Sequence, residues 1–251
     1  MPAGTRPDKA FWLSAMRHES AALRAAAATE GALAAPVPSC PDWTVADLLR
    51  HNGTDLGWLA EHVVRGATGK PDDKPEPALP DDELLSWWDE NLARVLTALD
   101  SVSPDLPAWN WAPSAKIARF WHRRFAHEQA VHRWDAQVAV GLPEPIDAAL
   151  AVDGVTEILD TWLPAGWAHR SDIDGVIQLI VADSEDSWIV RVRGQAVSLL
   201  DTATLLPEDH RVDAQLTGSA SDLVLSLYGR VPFDNLDVSG DAGILAGLRV
   251  G

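Results

Sequence analysis

The stretch AHEQAVHRWD, residues 126–135, sets Glu128 and His132 four residues apart, with Asp135 three further on. It lies inside a segment with no proline or glycine that reads as a helix from about 116 to 139, closed by Gly141 and Pro143. On a helix, residues four apart share a face with Cβ atoms about 5–6 Å from each other. Glu128 and His132 can therefore address one ion, as paired ligands do in helix bundles. A solvated helix face carrying a Glu–His pair would look the same in this segment alone. His127 and His132 are five apart, which on a helix leaves them roughly 140° from each other. That is not the spacing of HExxH, and a metalloprotease of that type is excluded.

The segments before it are also helical. FWLSAMRHESAALRAAAATE (11–30) is rich in helix formers and is followed by Gly31 as a stop. Thr44, with Asp47 three residues on, resembles a capping box. Behind it, Val45, Leu48, Leu49, Leu56, Leu59 and Val63 recur at helical spacing, predicting a helix over about 45–65. DDELLSWWDENLARVLTALD (81–100) is a third helix with an acidic start that suits the helix dipole. Loops rich in Pro and Gly separate these segments (36–42, 66–80, 101–115), and four helices so connected fit an antiparallel bundle.

After about residue 146 the character changes. One more helix, DAALAVDGVTEILDTWL (147–163), precedes apolar or alternating runs that read as strands at 175–183, 187–194, 195–201, 211–219 and 236–240. Helices are expected at 219–230 and 241–248. The fold class is therefore α+β: a four-helix bundle over 1–145, then a small α+β domain over 146–251 with a mostly antiparallel sheet.

Composition narrows the function. The 251 residues are 47% hydrophobic and 23% charged, enough to bury a substantial core. A net charge of −17 repels phosphate backbones and argues against nucleic acid as partner. No apolar run reaches the roughly 18 residues of a membrane span, and the N-terminal residues lack the features of a signal peptide, so no membrane association and a cytoplasmic location are expected. A single cysteine, Cys40, excludes an internal disulfide and an all-Cys zinc site. Set in a loop between Pro38 and Pro41, it reads as a small packing residue rather than a nucleophile. Twelve Trp against one Tyr leave indole as the main ring available to line a pocket as well as a core.

A metal at Glu128 and His132 needs a donor from a second helix. His51, one and a half turns into the 45–65 helix among Leu48, Leu49 and Leu56, is placed toward the bundle interior and supplies one. Two His and one Glu leave a tetrahedral position open, as in catalytic rather than structural zinc. Nickel, cobalt or iron would also suit such a set. Asp135 and Asp55 each lie one turn from a candidate ligand. Either could orient an imidazole, or be a surface carboxylate, which for Asp135 would pair with Arg133 or Arg124. Trp109, Trp111 and Trp134 are candidates to line a pocket, with core packing the favoured reading for Trp134, while His18 and His62 read as exposed.

SCPDWTVADLLRHNG (39–53) and RRFAHEQAVHRWDAQ (123–137) together resemble the signatures of the mycothiol-dependent maleylpyruvate isomerase family, whose N-terminal half is a DinB-like four-helix metal-binding bundle. The resemblance implies that His51, Glu128 and His132 bind a divalent metal, usually zinc (Zn2+), and that mycothiol is the thiol cofactor. It further implies a sterol-carrier-like C-terminal domain, to whose ending LYGRVPFDNLDVSGD (227–241) is similar. An arginine of that domain serves the family's isomerase activity. Arg230 is the best match, and an arginine that simply caps the preceding helix is the competing reading. A free thiol with a pKa near 8.5 is only about 3% thiolate at pH 7, and ligation to a metal makes it a thiolate outright. The expected function is thus thiolate addition to a small electrophilic molecule, by cis–trans isomerisation or S-transfer. A non-catalytic metal- or ligand-binding protein of the same fold is the alternative.

Overall fold

The structure is a computed structural model that describes residues 7–74, 77–166, 174–194, 196–200 and 211–250. The described residues form two compact units. One holds Pro7–Asn110 and Ala115–Glu144; the other holds Trp111–Ser114 and the chain from Pro145.

The first unit is four helices: α1 (Lys9–Ala27), α2 (Val45–His62), α3 (Asp81–Ser101) and α4 (Arg119–Ala139). Helix α1 packs chiefly on α4, and α2 on α3. Local chemistry sets the ends. Asp8 accepts from Phe11 N at the start of α1, and the capping box of α2 is complete, with Thr44 and Asp47 each serving the other's backbone. Helix α2 stops near the expected residue, and a short 3-10 turn (Val63–Arg65) carries the chain on to Gly66.

Two features of the packing do not follow from periodicity. Gly53 and Gly57 let α3 come close to α2: a Cβ on Gly53 would stand 2.4 Å from the Trp87 ring, and one on Gly57 2.5 Å from Asn91 Oδ1. A buried polar chain also crosses the bundle. Ser20 Oγ donates to Gln129 Oε1 at 3.2 Å, Gln129 Nε2 to Asn52 Oδ1 at 3.3 Å, and Trp88 Nε1 to the same oxygen at 2.9 Å. One residue from each helix takes part, so sliding any helix past the others would strand a buried polar group. A second buried tie joins Arg133 Nε to Glu19 Oε2 at 2.7 Å, between α4 and α1. His122, buried, faces the carbonyls of Ala118 and Leu99 at 2.8 and 2.9 Å and links α4 to α3. Burial pulls its imidazole pKa down, so a structural role suits it.

The second unit contains α5 (Ala148–Glu157), which continues as a wider π turn over Ile158–Trp162, and then a five-stranded sheet. Its strands are β1 (Asp174–Val181), β2 (Ser187–Arg193), β3 (Ala196–Leu200), β4 (Ala214–Gly218) and β5 (Asp237–Gly240). Their order is β3-β2-β1-β4-β5, and only β1 and β4 run parallel. Ile177, Leu179 and Val181 alternate into the core with Trp188, Val190 and Val192 of β2 and Leu216 of β4. Helix α6 (Ala220–Leu227) packs on α5.

Three expectations need correction. Helix α6 ends at Leu227 rather than 230, because Gly229 takes φ 74° and turns the chain. The last helix is a 3-10 segment, Ala242–Leu248, which fits its two glycines. The first helix begins at Lys9 and ends at Ala27, three residues short of Glu30. Gln195 and Asp201, the ends of the third expected strand, lie outside the described residues. No helix among the described residues is long and apolar enough to cross a membrane.

Candidate metal centre

The first unit brings His51 of α2 together with Glu128 and His132 of α4. One donor atom from each lies within 4.8 Å of the other two. Among the described residues no fourth His, Cys, Asp or Glu joins this group. The i,i+4 spacing does what helix geometry requires, and His132 Nε2 and Glu128 Oε1 are 2.7 Å apart. The His51 and His132 rings meet edge to face with centroids 5.6 Å apart.

His51 differs from expectation in one respect. It does not point into the closed interior; its side chain is 33% exposed, at the mouth of the cluster beside the Trp43 ring, 5.0 Å away between centroids. His132 is buried and Glu128 half-buried. The three side chains therefore run from the buried interior at His132 to the solvent-reaching edge of His51.

The residues around the cluster hold it in place. Arg124 Nη2 donates to Glu128 Oε2 at 3.2 Å, occupying the carboxylate oxygen other than the one that meets His132. Asp135 is not at the surface. It is fully buried, accepts from Ser39 Oγ at 2.6 Å, and sets its other oxygen 3.4 Å from His132 Nδ1. An imidazole so held presents Nε2 to the cluster. Asp55 Oδ2 stands 3.5 Å from His51 Nε2 and is partly exposed. His127 is buried outside the cluster, as its rotation about the helix requires.

Electrostatics tie the pair together. Burial is the largest single influence on Glu128 and His132, and it opposes charge on both; their mutual attraction, with Arg124 and His51 acting on Glu128 and Asp135 on His132, outweighs it. The Glu128 carboxyl is held well below the usual carboxylate range, and the His132 imidazolium is pushed up to about 9.

Other singled-out residues are placed as follows. Arg230 lies in the second unit beyond the end of α6. Its Nη1 donates to the Tyr228 carbonyl at 3.0 Å, the contact of a helix-end arginine. Trp109 is half-buried in a cluster with Trp58 and Trp121, whereas Trp111 belongs to the second unit and stacks at a tilt on Trp162. His62 is half-buried against the Trp58 ring rather than exposed. Sequence reasoning passed over Trp58 and Trp121. Trp58 falls seven residues after His51, and that spacing was the available signal.

A four-helix bundle joined to a small mixed-sheet unit, with two imidazoles and a carboxylate converging from two helices, defines a class of two-domain bundle proteins with a candidate metal centre. Residues 13–137 match the family model described as the mycothiol maleylpyruvate isomerase N-terminal domain, and residues 149–247 match the MDMPI C-terminal domain. The chain belongs to the mycothiol-dependent maleylpyruvate isomerase family, a family of enzymes. Among solved structures, a mycothiol-dependent maleylpyruvate isomerase aligns with a TM-score of 0.65 at 16% identity, over 94% of this chain and 95% of that one. A histidine-to-alanine mutant of a mycothiol-dependent maleylpyruvate isomerase aligns at 0.62 with the same identity and coverage. Identity this low is a likeness of fold. No curated protein sequence matches the chain.

Proposed function

We propose that the chain is a divalent-metal-dependent enzyme that uses mycothiol to act on a small electrophile, by cis–trans isomerisation or by S-transfer. The observation that carries this reading is the convergence of His51, Glu128 and His132 within 4.8 Å from two helices. The donors fit the ion: two nitrogens and one carboxylate oxygen are the set of catalytic zinc. When bound, the ion supplies a Lewis acid that keeps a mycothiol thiol deprotonated near neutral pH, as the nucleophile for addition to an electrophilic centre.

The chain's own groups do the positioning. Asp135, itself held by Ser39, orients His132; Arg124 restrains Glu128; the half-exposed side of His51 leaves the cluster open to an incoming sulfur. To Arg230 we assign the role implied by the family resemblance, holding a substrate carboxylate through its guanidinium.

The test is metal analysis of the purified chain, followed by turnover of maleylpyruvate and of simple electrophiles with added mycothiol. His51→Ala is expected to lose most of the bound metal and the turnover. Unchanged metal content in that variant removes His51 from the centre, and absence of any metal in the wild-type chain removes the proposal.

A further inference from the structure

A recess in the first unit has a chemistry unlike the candidate metal centre. It is a cavity of about 190 Å³ walled by Trp58, Trp109 and Trp121, with His62, Arg65 and Lys70 also lining it. Trp58 follows His51 by seven residues on α2, and Trp121 precedes Glu128 by seven on α4. Seven residues are close to two full helical turns, about 10.5 Å along the axis. The recess thus lies along the same α2–α4 seam as the candidate metal centre but is separate from it.

The walls are held by hydrogen bonds. Trp58 Nε1 donates to the Asp72 carbonyl at 3.1 Å, Trp121 Nε1 to the Trp109 carbonyl at 2.5 Å, and the Trp109 backbone N–H to the Ala67 carbonyl at 3.0 Å. With two indole N–H groups spent on the protein itself, what those rings have left to offer a guest is π surface and edge. Trp58 stands nearly perpendicular to the other two, at 81° and 71°, with centroids 5.9 and 5.4 Å away. Trp109 and Trp121 are inclined by 31° with centroids 6.2 Å apart, too close to admit a ring between them. A guest therefore lies in the corner against the walls.

The charges select the guest. On a chain of net charge −17, this recess gathers two permanent cations, Arg65 and Lys70, and an imidazole. Cations also stack on indole, but here they would meet like charge in the lining. A neutral apolar guest would leave the Arg65 guanidinium without a role at the recess, while Lys70, paired on the surface with Asp73 at 3.3 Å, can exchange that carboxylate for the negative group of a guest. We propose that the recess is a binding site for a small organic anion bearing one ring, such as an aromatic carboxylate. Its ring packs on the Trp58, Trp109 and Trp121 corner and its negative group faces Arg65 and Lys70. The volume is below the roughly 300–1,000 Å³ of sites for drug-sized ligands, which restricts the guest to one ring and a short substituent. This site stands independently of whether a metal occupies the His51 cluster.

The test is calorimetric and NMR titration of the full chain, metal-free and metal-loaded, with benzoate and its neutral isostere benzamide. A guest this small is expected to bind with a dissociation constant of roughly millimolar or tighter. Benzamide is expected to bind about tenfold more weakly or worse, because it lacks the charge. Arg65→Glu with Lys70→Glu, both at exposed positions, is expected to abolish benzoate binding while leaving the circular dichroism spectrum unchanged. Trp109→Leu is expected to weaken it about tenfold through loss of ring stacking. If that variant fails to fold, the charge-reversal pair still decides. Equal affinity for benzoate and benzamide, benzoate affinity unchanged by the charge reversal, or no binding at roughly ten millimolar overturns the proposal.

Discussion

Replacing Glu128 by Gln tests the coupling at the candidate metal centre most directly, because the amide keeps the shape and removes the charge. In the wild-type chain the buried His132 imidazolium, beside Glu128 at 2.7 Å and Asp135 at 3.4 Å, has its pKa raised to about 9. A metal that binds Nε2 must expel that proton, so at pH 7 the apparent affinity is about 100-fold below its alkaline limit. It should climb about tenfold per pH unit between 7 and 9, then level off. In Glu128→Gln the strongest attraction on the imidazolium is gone while burial still opposes charge, so the climb should end well below pH 9. The amide oxygen still coordinates, so the variant loses affinity chiefly at high pH. Competition against a chelating indicator over pH 6.5–9.5 measures both curves. The metal-free chain has its own signature. Because the pKa of His132 is raised on folding, its contribution to stability is fully present below the ordinary value of about 6.5 and is lost as pH rises through about 9. It amounts to about 3 kcal/mol at most, and thermal unfolding of Glu128→Gln should show a weaker pH dependence over that window. Wild-type metal affinity that is flat from pH 7 to 9, or an equal slope in both proteins, refutes the coupling.

Asp135→Asn should lower metal affinity about 10- to 100-fold while leaving the ion coordinated, since it removes the carboxylate behind His132 rather than a donor; the same competition assay reads this out. Gly53→Ala should destabilise the chain by about 1–3 kcal/mol in chemical denaturation, because the added Cβ meets Trp87 at 2.4 Å, whereas in an open helix it would stabilise by about 1 kcal/mol. Arg133→Met should cost about 3–5 kcal/mol by leaving Glu19 buried without its partner, and Glu19→Leu in the same background should restore part of it.

How much of this was legible beforehand depends on the range of the interactions involved. The capping box at Thr44 and Asp47 is made within four residues, so the start of α2 could be read directly. The i,i+4 pairing of Glu128 and His132 is likewise local, whereas the apolar neighbours of His51 pointed to an interior position that the structure does not give it. The setting of Asp135 was not legible. Whether a helix carboxylate faces solvent or Ser39 depends on a loop 96 residues away. The use of Trp58 and Trp121 as the walls of a recess also required two helices to be brought together.

The sequence by itself determined the order of the helices and strands, the family, and three candidate donors for a metal, because periodicity, capping and motif spacing are properties of short stretches of chain. Only the tertiary structure decided that His51 stands at the mouth of its cluster, that Asp135 is buried behind His132, and that Gly53 and Gly57 carry the contact with α3. Each of these is set by the separation and rotation of whole helices, which depend on the side chains of every partner at once.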